Sequence, residues 1–208
     1  MNKRRQAAEE TKKKIVDAAE RLIAEKGFDN VSVEDITSFC GVAKGTFYVY
    51  FKRKEDVVQD IGYAYFSAVG EEILAMKESG MAEKLRRYSE KFMHGVQRCG
   101  IRICRQWIKN VLDPADLPEN YPSKYEFDVA MLENILQDAV EIGQLSKETP
   151  VETLAHLLIS QLYGMMTCWC MSGGTFEPKD WVGRFADEQT ERLFAPYIIK
   201  NGSVTTNG

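Results

Sequence analysis

The residues best suited to chemistry outside the chain lie between Val42 and Lys54. Phe47 and Phe51 are four apart, so on a helix they share one face, which must pack inward against Ile36 and the apolar stripe of the first helix. The other face carries Lys44, Gly45, Tyr48 and Val49, with Thr46 at its edge and no acid in the segment. Lys44 can donate to guanine O6/N7, and Gly45 permits close backbone approach. Tyr48 and Tyr50 offer hydroxyls to phosphate oxygens, Lys52 and Lys54 offer charge, and the amides opening the second and fourth helices add donors. A small, hydroxylated, cationic surface of this kind fits the major groove of duplex DNA.

Other constellations carry less. His94 and His156 each follow a carboxylate by four residues (Glu90, Glu152), but two isolated histidines make a weak metal signal. Cys168 and Cys170 would point about 200° apart on a helix and could not share an ion. A di-iron enzyme needs Glu-x-x-His pairs on two helices, which this chain lacks. It also lacks a glycine-rich phosphate loop, a nucleophile elbow and a zinc motif. The expectation is therefore no catalytic residue, no metal and no cofactor. A helical adaptor that binds protein would leave the acid-free cationic face unexplained. A redox role for Cys99 and Cys104 has little support.

These residues need a scaffold, and helical spacing supplies one from end to end, with no sustained alternation. Ile15, Ala18, Ala19, Leu22 and Ile23 form the stripe of a first helix stopped by Gly27. Ser32-Val33-Glu34-Asp35 is a capping-box variant that starts a second helix at Val33, and Gly41 turns it into a third over about Ala43–Phe51. A fourth runs from Lys54 towards Lys77, a fifth follows Met81, and a sixth follows Gly100. Asp113–Pro122 is expected to be a loop. Ser123–Glu126 opens the seventh helix, Thr149-Pro150-Val151-Glu152 the eighth, and Pro178 the ninth, which ends near Ala195-Pro196. The fold class is all-α with about nine helices. The expected division is a three-helix DNA-binding domain over 1–54, a helical ligand-binding and dimerisation domain over 55–200, and a disordered tail over 201–208.

Charge follows the same division. The 208 residues sum to −4, yet residues 1–54 hold 12 Lys/Arg against 8 Asp/Glu while 55–208 hold 15 against 23. A basic end on an acidic body suits a module that meets a polyanion. No run makes a convincing membrane span, and five cysteines without disulfide or zinc spacing fit a reducing cytoplasm.

The segment from Gly27-Phe28 through Val31-Ser32-Val33, Asp35-Ile36 and Gly41-Val42-Ala43-Lys44-Gly45-Thr46-Phe47-Tyr48-Val49-Tyr50-Phe51-Lys52 to Lys54-Glu55 resembles the DNA-binding signature of the tetracycline-repressor (TetR/AcrR) family. The resemblance implies an all-helical homodimer, a ligand pocket in the C-terminal body, and repression at a double-stranded operator relieved by a small-molecule effector. It implies base contact by Lys44, Gly45, Thr46 and Val49, and phosphate contact by Ser32, Tyr48, Tyr50, Lys52 and Lys54. Three positions depart from the usual pattern: Ala43 replaces a capping Ser/Thr, Arg53 a capping Ser/Asn, and Thr37 an alanine.

In the body, Leu158, Gln161, Leu162, Met165 and Trp169 on the eighth helix, with Phe185, Gln189 and Leu193 on the ninth, are candidates for a dimer interface between two copies. Phe66, Met93, Trp107, Met131, Tyr163 and Met166 are candidates for lining an apolar pocket.

Overall fold

Ile15, Ala18, Ala19 and Leu22 recur at helical spacing and are buried along one side of α1 (Lys3–Lys26). In the computed structural model, which describes residues 3–112 and 124–199, a single 3-10 turn (Phe28–Asn30) follows α1. Then come α2 (Val33–Cys40), α3 (Lys44–Tyr50), α4 (Lys54–Ala75), α5 (Met81–Cys99), α6 (Ile101–Leu112), α7 (Lys124–Glu141), α8 (Val151–Met171) and α9 (Lys179–Arg192). Among the described residues the extended structure amounts to one antiparallel bridge, Leu145 with Ile198. The all-α expectation holds.

The described residues fall into two compact units, one within Met1–Ala68 and His94–Leu117, the other within Val69–Met93 and Pro118–Gly208. This differs from the boundary expected after Lys54. The first four turns of α4, through Ala68, belong with the helix-turn-helix, in whose core Val57 and Val58 are buried, and Ile103 of α6 joins them. Sequence order hides that assignment, since α6 returns to the module from more than forty residues away. The expected tail over 201–208 and the capping serine Ser123 lie outside the described residues.

In the first unit Phe47 (0% exposed), Phe51, Ile36, Val31 and Phe28 close over the α1 stripe. Burial of each such side chain stabilises by about 1.5–3 kcal/mol. The rings of Phe47 and Phe51 lie 5.3 Å apart, so α3 is held by two adjacent anchors on one face. In the second unit α7 and α8 pack lengthwise, burying Leu132, Ile135, Leu136 and Ala139 on one and Leu154, Ala155, Leu158, Ile159 and Leu162 on the other.

One helix start differs from expectation. The hydroxyl of Thr149 donates back to Ser146 O at 2.7 Å rather than capping α8, and Pro150 takes the cap position with no side-chain bond. The α9 helix also stops at Arg192, before the expected Ala195-Pro196.

Candidate nucleic-acid interface

The entry to α2 is built by Ser32 and Asp35. The Ser32 hydroxyl accepts from the Asp35 amide at 3.1 Å, and the Asp35 carboxylate accepts from the Ser32 amide at 2.8 Å. The Ser32 hydroxyl, donating to the Asp35 carboxylate at 2.6 Å, and then the Ser32 amide hold that carboxyl below the usual aspartate range. With both its amide and its hydroxyl donating to the Asp35 carboxylate, Ser32 is committed to the cap and has no donor left for a phosphate, which corrects the phosphate contact expected of it. Gly41 then reverses the chain at φ +70°, ψ +30°, a left-handed conformation that costs a side-chain-bearing residue. The amide of Val42 closes the turn on Thr37 O at 3.0 Å.

The turn delivers α3 with Phe47 inward and Lys44, Gly45, Tyr48 and Val49 outward. Val49 is 77% exposed and Tyr48 50%, its ring edge-on to Phe47 at 5.5 Å. A methyl on Gly45 would meet nothing within 4 Å. Packing inside the chain therefore gives no reason for a glycine there, although glycine in a helix is about 1 kcal/mol worse than alanine. Thr46 is half-buried at the edge, and Tyr50 is half-buried against the core. Lys52 and Arg53 are exposed.

Two expectations about charge need correction. The outward face is not free of acid: Glu34, on the first turn of α2, pairs with the Lys44 ammonium. The pair raises the Lys44 pKa and lowers that of Glu34. The reason is tertiary, because the Gly41 turn brings the first turns of α2 and α3 together. Lys54 is also engaged within the protein. Its ammonium donates to Phe28 O at 2.8 Å and Val31 O at 2.6 Å, and sits 4.0 Å from the Phe28 ring centroid. Two of its three N–H groups are thereby occupied. Phe28 carries Arg102 as well, 5.2 Å from its ring, and that guanidinium pairs with Asp29 (2.6 Å) and Glu55 (3.2 Å).

The departures from the family pattern have visible consequences. Ala43 caps α3 with no side-chain bond. At Arg53 the capping role is reversed, since the Asp56 carboxylate accepts from the Arg53 amide at 2.9 Å. Thr37 is buried and returns its hydroxyl to Val33 O at 2.9 Å.

The pocket candidates divide between the units. Phe66 and Trp107 belong to the first, where Phe66 lines a cavity of about 40 Å³ with Phe28, Tyr65 and Cys99. Met93, Met131, Tyr163 and Met166 belong to the second, where Met93, Met131 and Met166 are buried and Tyr163 donates to Asp128 at 3.0 Å. The dimer candidates divide differently. Gln161, Met165, Phe185, Gln189 and Leu193 line an open cleft of about 930 Å³ along α8 and α9, together with Cys168, Phe176 and Trp181. Leu158, Leu162 and Trp169 are buried within the unit. Trp181, 48% exposed, was missed by sequence reasoning, although its four-residue spacing from Phe185 marks a shared face.

Burial pushes the Cys99 thiol up to about 11, which suppresses the thiolate a redox sensor needs. No group of three metal-ligating side chains occurs among the described residues, and no described helix is long and apolar enough to cross a membrane.

Residues 15–61, which hold this helix-turn-helix and its core, match the family described as bacterial regulatory proteins, tetR family. The chain is 32% identical to the uncharacterized HTH-type transcriptional regulator YerO of Bacillus subtilis over 57% of its own length and 40% of that protein's. It is 22% identical to the HTH-type transcriptional regulator AcrR of Shigella flexneri over 85% of this chain and 86% of that one. In fold it is similar to a TetR-family transcriptional regulator from Pectobacterium atrosepticum, with a TM-score of 0.68 at 17% identity over 94% and 98% of the two chains. The motif, its geometry and the match coincide on the same stretch, so residues 15–61 carry the DNA-binding signature of the tetR family of bacterial regulatory proteins.

Proposed function

We propose that the protein is a ligand-responsive, DNA-binding transcriptional regulator: a homodimeric repressor in the cytoplasm that leaves a palindromic operator when a small molecule binds its C-terminal helices. One observation carries the reading. Lys44, Gly45, Tyr48 and Val49 project from a short helix that Phe47 and Phe51 lock in place, and the glycine among them answers no need inside the chain. Base contact falls to Lys44, Gly45, Thr46 and Val49, with Tyr48, Tyr50 and Lys52 on phosphates and Ser32 capping α2. Lys54 supports the module from within. No catalytic residue and no cofactor is assigned.

Two α3 helices in a two-fold dimer reach successive major grooves when about 34 Å apart. The exposed apolar residues of the α8/α9 cleft, Trp181 and Phe185 among them, support a second copy as the partner there, with the Arg192–Glu188 pair (2.7 Å) beside them. A ligand that favours a different spacing releases the DNA. Carrying the population from almost all bound-competent to almost all released takes about 5.5 kcal/mol of differential affinity.

Selection from a random duplex pool, followed by gel-shift titration at fixed salt, tests the reading. A selected palindrome should bind ~1000-fold or more tighter than random duplex, and Tyr48→Ala should weaken binding with the fold intact. Equal affinity for selected and random DNA sinks it.

A further inference from the structure

Asp128 on α7 is wholly buried, and three donors converge on it. They are the hydroxyl of Tyr88 from α5 at 2.6 Å, the hydroxyl of Tyr163 from α8 at 3.0 Å, and the ammonium of Lys124 one turn earlier on α7. The same ammonium lies 5.3 Å from the ring centroid of Phe92 and 5.6 Å from that of Phe127. A desolvated carboxylate framed by hydroxyls and aromatic faces is the chemistry that recognises organic ammonium ions. Here the chain's own lysine fills it.

We propose that Lys124 is a tethered occupant of an organic-cation site, and that Asp128, Tyr88, Tyr163, Phe92 and Phe127 receive an organic ammonium ligand when Lys124 is displaced. Charge balance selects the ligand class. A buried carboxylate must keep a cation beside it. An anion would face Asp128 at low dielectric, and a neutral molecule in place of Lys124 would strand it, so only another cation can exchange cleanly.

The present occupant is poorly matched to its position. Lys124 is the first residue of α7, where the positive end of the helix dipole opposes an ammonium. Burial works in the same direction, lowering the Lys124 pKa to about 8. A ligand ammonium is free of the constraint of starting a helix. Because Lys124 opens α7, its four-carbon stem can leave by rotation about its own bonds without breaking the helix. As an effector site this rests on the regulator reading above; as a binding site it does not.

The test uses the full chain without DNA and reads the unfolding temperature. Lys124→Ala should unfold at lower temperature than wild type. n-Propylammonium, which replaces the atoms removed, should restore much of that loss, shift wild type far less, and have no effect on Lys124→Ala/Asp128→Asn. n-Propanol should not substitute. If Lys124→Ala folds only when n-propylammonium is added, the site is supported. If it stays unfolded with the ammonium while the double variant folds, or if ammonium and alcohol act alike, the proposal fails. A chain that answers to the ammonium but ignores DNA sequence keeps this site and loses the regulator reading. Selective DNA binding with no ammonium response does the reverse.

Discussion

The ammonium of Lys54 sits 4.0 Å above the ring of Phe28 while donating to that residue's own carbonyl. One side chain thus satisfies the exit of the 3-10 turn, covers a core phenylalanine and opens α4.

That arrangement separates Lys54 from its neighbour Lys52. Lys54→Ala should lower the stability of the chain by about 1.5–3 kcal/mol, the range for hydrogen bonds to a charged group, as read by urea unfolding. The salt dependence of DNA binding should change little. Lys52→Ala should do the opposite, leaving stability intact and flattening the log–log salt slope by about 0.9. Interchanged results would return Lys54 to the phosphates and remove Lys52.

The Glu34–Lys44 pair makes a second expectation. Glu34→Gln removes the acid paired with Lys44 and frees the lysine for the proposed base contact. Affinity for a selected duplex should rise several-fold at low salt, with the gain shrinking as salt screens the interaction. Unchanged affinity at low salt means that Lys44 is not at the interface.

Gly95 on α5 faces two aromatic rings of α4. A methyl there would come within 2.5 Å of Tyr65 Cε1 and 3.3 Å of Phe66 Cζ. Rings cannot yield as a flexible chain does, so Gly95→Ala should destabilise by about 1–3 kcal/mol in denaturant titration. Gly70→Ala, which meets the mobile end of Met131, should cost much less. Equal costs would mean that Tyr65 moves aside freely.

Proton linkage at the Asp128 cluster gives a fourth. Desolvation lowers Lys124 to about 8 from its ordinary 10.5. Between those values the unfolded chain holds a proton that the folded chain has released, so this group makes stability rise with pH across the window. Tyr88 acts oppositely: burial first, then the charge of Asp128, raise its hydroxyl well above 10.0, so beyond that pH the unfolded chain ionises first and stability falls. Relative to Lys124→Ala, wild type should gain unfolding temperature between pH 8 and 10. Parallel curves would remove the buried ammonium from the account.

Local signals in the sequence were dependable where the structure they specify is local. The Ser32–Asp35 box, the Gly41 turn and the four-residue pairing of Phe47 with Phe51 each involve bonds or faces within one or two helical turns, and each formed. Even there, the start at Thr149-Pro150-Val151-Glu152 formed without its cap bond, because the Thr149 hydroxyl donates to Ser146 O instead. What could not be read depends on distant partners. Lys54 reaches carbonyls 26 and 23 residues back, and Lys44 an acid ten residues back. The Asp128 cluster draws on tyrosines 40 and 35 residues away. Polar residues at such separations carry no periodic signature, because any helical surface supplies them.

The empty space around Gly45 has an evolutionary consequence. A methyl at that position would stiffen α3 and touch nothing in the protein, so folding exerts no veto over alanine there. If α3 meets DNA as proposed, target preference can drift through this position without cost to the fold.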